Sequence, residues 1–220
     1  MASATPEPIA LAILARAPVA GAVKTRLIPA LGAAGAAALH ERMIERTVAT
    51  ACAAAIGPVT LWTTPAAPHA CFSALALRFP IALAPQPEGD LGLRMLAPSK
   101  AADGPAIVVG TDCPALTPAH LHEATEALRA GSDAVVIPAE DGGYVLVGTR
   151  RPQPGLFAPM AWGTDAVMAE TRQRLARDGL TWRELPALWD VDRPEDLARL
   201  RATGLEDVLD GPTPAPLPPA

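Results

Sequence analysis

Short apolar runs recur along this chain with helical stretches between them, and that alternation narrows the folds open to it. Ile9–Ala15, Val59–Thr63, Ile81–Ala84, Ala106–Val109 and Ala134–Pro138 read as buried strands, and Ala34–Ala55 and Pro118–Ala130 are the clearest helices. Strand, helix, strand in series implies parallel strands joined by right-handed helical crossovers and covered on both faces. The expectation is an α/β, Rossmann-like fold with a mostly parallel central sheet. Tyr144–Gly148 follows a Gly-Gly turn and reads as a strand that breaks the parallel order. Asp165–Arg177 and Pro194–Ala202 read as further helices, with Trp182–Leu185 a short strand between them. At 220 residues and 50% hydrophobic, the chain can bury a sizeable core, and one domain over 1–210 is expected. The proline-rich tail 211–220 should be extended or disordered.

In an open parallel sheet, ligands bind outside the carboxyl ends of the strands. The first such end carries Arg16-Ala-Pro18-Val-Ala-Gly21-Ala-Val-Lys24-Thr25-Arg26-Leu27. Three cations lie within these residues, Pro18 and Gly21 bend the backbone between them, and no acidic residue occurs from Pro8 to His40. A di- or triphosphate would be attracted there. Lys24 and Lys100 are the only lysines against sixteen arginines, so a compact ammonium at position 24 suits a point contact to phosphate. A solvated basic loop is the alternative reading. The segment is neither a Walker loop, since Val23 precedes the lysine, nor a Gly-x-Gly-x-x-Gly turn.

Acidic groups mark three later loops. Ile107-Val108-Val109 runs into Gly110-Thr111-Asp112, which delivers a carboxylate suited to a divalent ion bridging phosphates, or else to capping the next helix. Asp141-Gly142-Gly143-Tyr144 is a strong hairpin signal, and Asp141 there can accept a proton from a hydroxyl acceptor. Asp192 with Glu195 is close to a capping box, and Asp192 is equally a candidate second carboxylate for a metal held by Asp112. Gln86 and Arg94 flank another strand end and suit a base and a phosphate, or a plain loop with Asp90 as N-cap. Trp162 suits an acceptor wall or simple packing.

Other classes find little support. A net charge of -5 and a pI of about 5.4 argue against sequence-independent nucleic-acid binding. The apolar runs fall short of the ~20 residues of a membrane span, and the N-terminus lacks a basic n-region. Cys52, Cys71 and Cys113 form no close pair and suit free thiols, so a cytoplasmic protein is expected. Cys113 reads as a packing residue, and the four histidines form no metal or triad pattern. An apolar strip on Ala34–Ala55 would fit a homodimer, and equally fits packing on the sheet.

The segments Ala15–Leu27, Gly110–Leu116, Pro138–Tyr144 and Asp190–Leu197 together resemble the bacterial selenodomain-associated, or arsenosugar-biosynthesis, glycosyltransferases. That family belongs to the nucleotide-diphospho-sugar transferase superfamily, so the resemblance implies a GT-A type fold. It further implies a nucleotide at the first loop and Mg2+ (or Mn2+) on Asp112 and Asp192. Lys24, Asp112 and Asp141 would be the catalytic groups, with Arg16, Pro18, Gly21, Thr25, Arg26, Gln86, Arg94, Gly142, Gly143, Tyr144 and Trp162 binding a nucleotide-sugar donor and a small-molecule acceptor. One departure stands out: Asp112-Cys113-Pro114 offers one carboxylate where glycosyltransferases of this fold usually carry Asp-x-Asp. A lone aspartate with a distant partner, like the Lys24-Thr-Arg-Leu27 loop, also resembles nucleotidyltransferases, which release pyrophosphate from a nucleoside triphosphate. A nucleotide-binding domain without turnover is a third expectation, in which binding survives loss of Asp112 or Asp141.

Overall fold

The computed structural model describes residues 8–102 and 104–210, so the proline-rich tail expected at 211–220 and the first seven residues lie outside the described residues. Among the described residues seven strands form one sheet: β1 (Ala10–Arg16), β2 (Val59–Thr64), β3 (Ile81–Pro85), β4 (Ala106–Val109), β5 (Ala134–Pro138), β6 (Tyr144–Thr149) and β7 (Trp182–Glu184). Their order across the sheet is β3-β2-β1-β4-β6-β5-β7. Only β6 runs against its neighbours, pairing antiparallel with both β4 and β5, while the other strand pairs are parallel. The strand expected to break the parallel order does so. The fold is a mostly parallel, Rossmann-like α/β sheet with helices on both faces.

Strand periodicity divides the core between the faces. Leu11, Ile13 and Ala15 of β1 pack with Ile107 and Val109 of β4 against Ile44 and Val48 of α1 (Ile28–Ala54) and Leu121 of α4 (Pro118–Arg129). Ala12 of β1 and Val108 of β4 point the other way, onto Met95 and Leu96 of α3 (Leu91–Ala101) and Leu175 of α5 (Val167–Arg177). Two-sided burial explains why β4 and β5 are unbroken apolar runs. A third cluster, with Leu39, Met43, Trp189, Val191 and Leu200, fixes α6 (Pro194–Ala202) against α1. The remaining helices are α2 (Ala70–Arg78) and α7 (Asp207–Asp210).

Two helix starts are built differently from expectation, although α6 keeps its expected bounds. The helix expected from Ala34 is preceded by a turn from Ile28, and the two pieces meet at Gly32, whose φ of 70° and ψ of 165° are not helical. Its backbone takes a left-handed φ that residues with a Cβ resist. At α6 the cap is not Asp192 with Glu195. The Asp196 carboxylate accepts from the backbone N–H groups of both Asp192 and Arg193, at 2.9 and 2.7 Å, so the Asp192 side chain does not serve as the cap. No helix among the described residues is long and apolar enough to cross a membrane.

Candidate active site

Loops at the carboxyl edge of the sheet converge on one cleft of about 690 Å³. Its first wall is the segment from Arg16 to Leu27. The segment is tied down where it leaves β1, with Ala17 N–H donating to Thr64 O at 2.8 Å, and it ends in a short 3-10 turn over Thr25–Leu27. Lys24 adopts a left-handed backbone (φ 46°), a conformation that costs a residue with a Cβ on the order of 1–3 kcal/mol. Its side chain offsets that strain: Nζ donates to Val191 O at 2.5 Å and lies 2.9 Å from Asp112 Oδ1. Arg26 donates to the Asp192 carboxylate. Thus the cations of the loop reach across the cleft to the acidic groups of the opposite lip.

That lip is built from two strand ends. Asp112 follows β4 and has Val191 N–H donating to its carbonyl at 2.8 Å, which fixes the two segments side by side. It does not cap α4, whose N-cap is Thr117, paired with His120. Asp190, Val191 and Asp192 are successive residues with only Val191 fully buried, so both carboxylates face away from the core. Burial first, then the negative charges of Asp141 and Asp112, push the Asp190 carboxyl up to about 6. The result is an acidic cluster facing the Lys24 and Arg26 side of the cleft.

The β5–β6 turn supplies Asp141. Its Oδ1 accepts from Gly143 N–H at 2.9 Å, while its second oxygen has no partner among the described residues. The turn is a hairpin and a cleft wall at once. Gly142 has φ 92°, and a Cβ there would stand 2.4 Å from Asp165 Cα, so only glycine fits. Glu140 faces away from the cleft in a two-pronged pair with Arg199, at 2.6 and 2.8 Å.

The far wall is apolar and lies on the α3 and α5 side of the sheet. Asp90 caps α3 by accepting from Leu93 N–H at 2.9 Å, and its other oxygen accepts from Trp162 Nε1 at 3.3 Å. Trp162 therefore packs and lines the cleft simultaneously. Gln86 lines the cleft and is held by its amide nitrogen, which donates to Ala15 O at 3.1 Å and Trp62 O at 2.8 Å. The Tyr144 ring lines the cleft, but its hydroxyl points into the core toward Thr171, and burial holds its pKa well above the usual phenol value. An acceptor cannot reach that hydroxyl. Arg16, Thr25 and Arg94 also line the cleft, whereas Pro18, Gly21 and Gly142 shape the turns behind it.

His40 is the site residue that pattern reasoning missed. It lies on α1 among Leu39, Met43 and Ile44, where nothing in the linear sequence distinguishes it from a core position. In the fold its Nε2–H donates to Arg16 O at 3.1 Å, and its Nδ1 stands 3.9 Å from Asp112 Oδ1. Burial lowers its pKa, against a smaller opposing pull from Asp112, and favours the neutral ring. Cys113 beside Asp112 is buried and its thiol is pushed up to about 12 by burial, consistent with packing rather than nucleophilic chemistry.

Among the described residues no group of three or more His, Cys, Asp or Glu is arranged to hold a metal. A magnesium ion does not require one, since it typically takes one or two carboxylates and completes its shell with substrate phosphates and water. Asp112, Asp190 and Asp192, all oxygen donors lining one cleft, fit that chemistry.

The profile of the family described as "Uncharacterized protein conserved in bacteria (DUF2064)" matches residues 47–164, just over half of the chain. A search among curated proteins finds no match. Among solved structures, a provisionally assigned nucleotide-diphospho-sugar transferase from Desulfovibrio desulfuricans G20 is 29% identical, with a TM-score of 0.76 over 84% of this chain and 82% of that one. A nucleotidyl transferase from Methanothermobacter is 18% identical, with a TM-score of 0.61 over 91% of this chain and 99% of that one. A 4-diphosphocytidyl-2C-methyl-D-erythritol synthase from Anaerococcus prevotii is 12% identical, with a TM-score of 0.61 over 89% and 96%. The last two establish likeness of fold alone. Together these findings assign the chain's fold to the nucleotide-diphospho-sugar transferase superfamily.

Proposed function

The chain belongs to the DUF2064 family, and from that premise we propose that it is a metal-dependent, glycosyltransferase-like enzyme. It takes a nucleotide-diphospho-sugar donor and a small-molecule acceptor. The observation that carries the reading is the meeting, in one cleft at the sheet's carboxyl edge, of a three-cation loop with carboxylates from three separate strand-end segments. The finer resemblance to selenodomain-associated or arsenosugar-biosynthesis glycosyltransferases is part of this proposal and rests on the four sequence motifs.

In this reading Arg16, Lys24 and Arg26 hold the diphosphate, with Arg26 and Lys24 leaving their carboxylate partners to do so. Asp112, with Asp190 or Asp192, would hold Mg2+ or Mn2+, which when bound would offset the charge of the departing diphosphate. Asp141, with one oxygen pinned by Gly143 and the other free, takes the proton of the acceptor hydroxyl as that oxygen attacks the sugar. Trp162 and the Tyr144 ring wall the acceptor and exclude water, and Gln86 faces the base. Fixed dipoles and charges of this kind stabilise charge that develops during transfer.

One observation favours a second reading. Asp112 is a lone carboxylate whose companion comes from a distant loop, and the loop opposite is dense in cations. A nucleotidyltransferase would use the same groups while a substrate phosphate attacks the α-phosphorus of a nucleoside triphosphate and pyrophosphate leaves.

The bond broken separates the two. Phosphorus NMR of the protein with magnesium, nucleotide sugars or nucleoside triphosphates, and a panel of hydroxyl and phosphate acceptors should record a nucleoside diphosphate appearing from a nucleotide sugar. Asp141→Asn should slow that reaction by about 10²–10⁴-fold. Pyrophosphate from a triphosphate would instead support the second reading, and no product from either donor would contradict both.

A further inference from the structure

The two edges of the sheet are built differently. At one end β7 is three residues long, exposed throughout, and carries Arg183 and Glu184, a short charged edge of the kind that resists pairing with another chain. At the other end β3 reads Ile81-Ala-Leu-Ala-Pro85, with no charged residue, and its Ala82 and Leu83 are exposed. No strand among the described residues pairs with its outer side. We propose that β3 is an interaction surface for a second copy of this chain, which adds its own β3 antiparallel about a two-fold axis at Leu83. The proposal does not depend on the reaction assigned to the cleft.

The phase of the backbone fits that pairing. Gln86 N–H donates to Thr63 O at 2.9 Å, and Thr63 stands in register with Pro85. In a parallel ladder this phase turns the N–H and C=O of Ala82 and Ala84 toward β2 and those of Leu83 outward. The outward N–H of Ile81 is taken by Phe79 O at 2.8 Å, and Pro85 has none. Leu83 therefore holds the single outward donor of β3 without a partner among the described residues. A two-fold axis there lets the N–H of each Leu83 donate to the C=O of the other. Pro80 and Pro85 stop the ladder on either side, so the pairing closes on two chains instead of continuing.

Side chains favour a second copy over an unrelated strand. A stable interface buries about 800 Å² per partner, more than one short strand supplies. Further apolar area stands around β3: Leu83 is 44% exposed, Leu77 of α2, the helix packed on β3, is 89% exposed, and Leu93, folded against Gly89 of the loop leaving β3, is 51% exposed. Arg78 and Glu88 are exposed five residues either side of Leu83, so the two-fold turns each chain's Arg78 toward the other's Glu88. The apolar strip expected on Ala34–Ala55 is not free for this role, because its Leu39, Met43, Ile44 and Val48 are buried in the core.

Sedimentation equilibrium of the full chain from about 1 to about 200 μM tests the proposal. Wild type should show a species of twice the 22.7 kDa chain mass, with a dissociation constant in the micromolar range or tighter. Leu83→Lys should raise that constant at least about thirtyfold with the far-UV circular dichroism unchanged. In a hydrogen-bonded antiparallel pair the facing Cα atoms stand about 5.5 Å apart, within reach of a disulfide. Leu83→Cys should therefore link two chains in oxidised glutathione, which decides the matter even if the lysine variant fails to fold. Wild type, with its free Cys52, Cys71 and Cys113, and Trp182→Cys on β7 should not link. A monomer throughout that range, a dimer that folded Leu83→Lys leaves intact, or no cross-link in Leu83→Cys would overturn the proposal.

Discussion

Asp190 illustrates at the scale of one residue how a site can be assembled at the expense of stability. Its carboxyl is raised to about 6 from an ordinary value of 3.8, chiefly by burial and then by Asp141 and Asp112. A folded pKa above the unfolded one means that the folded state holds the proton more tightly. Stability from this group is therefore full below about pH 4 and lost as pH rises through 6. Asp190→Asn should raise the free energy of unfolding in metal-free buffer at pH 7.5 by on the order of 1 kcal/mol after allowing for partial exposure, read from urea unfolding, and the gain should vanish near pH 4. A variant no more stable than wild type at pH 7.5 would contradict the assignment. His40 makes a complementary point about legibility. A lone histidine on a helix among leucines reads as core, and only the three-dimensional approach of α1 to the β4 end brings its ring to Asp112.

At the scale of elements, the apolar wall depends on how the segment 155–164 is strapped to its neighbours. Arg174 of α5 is buried and donates to four carbonyls of that segment, among them Ala158 at 2.5 Å and Pro159 at 3.0 Å, as well as to Glu170 at 2.8 Å. Lysine has three donors and no planar fork. Arg174→Lys should cost about 1.5–3 kcal/mol in urea unfolding and speed proteolysis within 155–164 relative to wild type. On the other side, Gly92 lets the strap approach α3, since a Cβ there would stand 2.3 Å from Phe157 O and 2.7 Å from the Trp162 ring. Gly92→Ala should cost roughly 1–3 kcal/mol and shift tryptophan fluorescence as Trp162 is displaced. Unchanged stability and fluorescence would mean that the strap does not bear on α3. Neither contact was legible in the sequence. A buried arginine in a helix of charged residues looks like surface, and a glycine just inside a helix start looks like a weak position. The strands and the longer helices were legible because they follow from local periodicity, whereas the short α2 and α7 were not singled out, and β6 announced its reversal through the Gly142-Gly143 turn.

At the scale of the whole molecule, the rule that ligands gather at the carboxyl edge of a parallel sheet was enough to bring most of the candidate residues to one edge from sequence alone. Arg16, Lys24, Arg26, Gln86, Asp112, Asp141 and Asp192 all follow strand ends or loops there, and all line one cleft. What the rule does not supply is pairing. That Lys24 turns to Asp112, Arg26 to Asp192 and the Tyr144 hydroxyl away from the cleft depends on packing between segments distant in sequence, more than a hundred residues apart for Arg26 and Asp192. Nor does the rule show that Thr117 caps α4 and that the Asp196 carboxylate caps α6, which takes the capping role from Asp112 and Asp192. The central claim is that this edge is a metal-assisted nucleotide site. Its most direct test is the melting temperature of wild type and Asp112→Ala with nucleotide sugars and nucleoside triphosphates, each with and without magnesium. The account predicts stabilisation of wild type by at least one of these nucleotides only when magnesium is present, and its loss in Asp112→Ala. Nucleotide stabilisation that persists without magnesium and in the variant would contradict it.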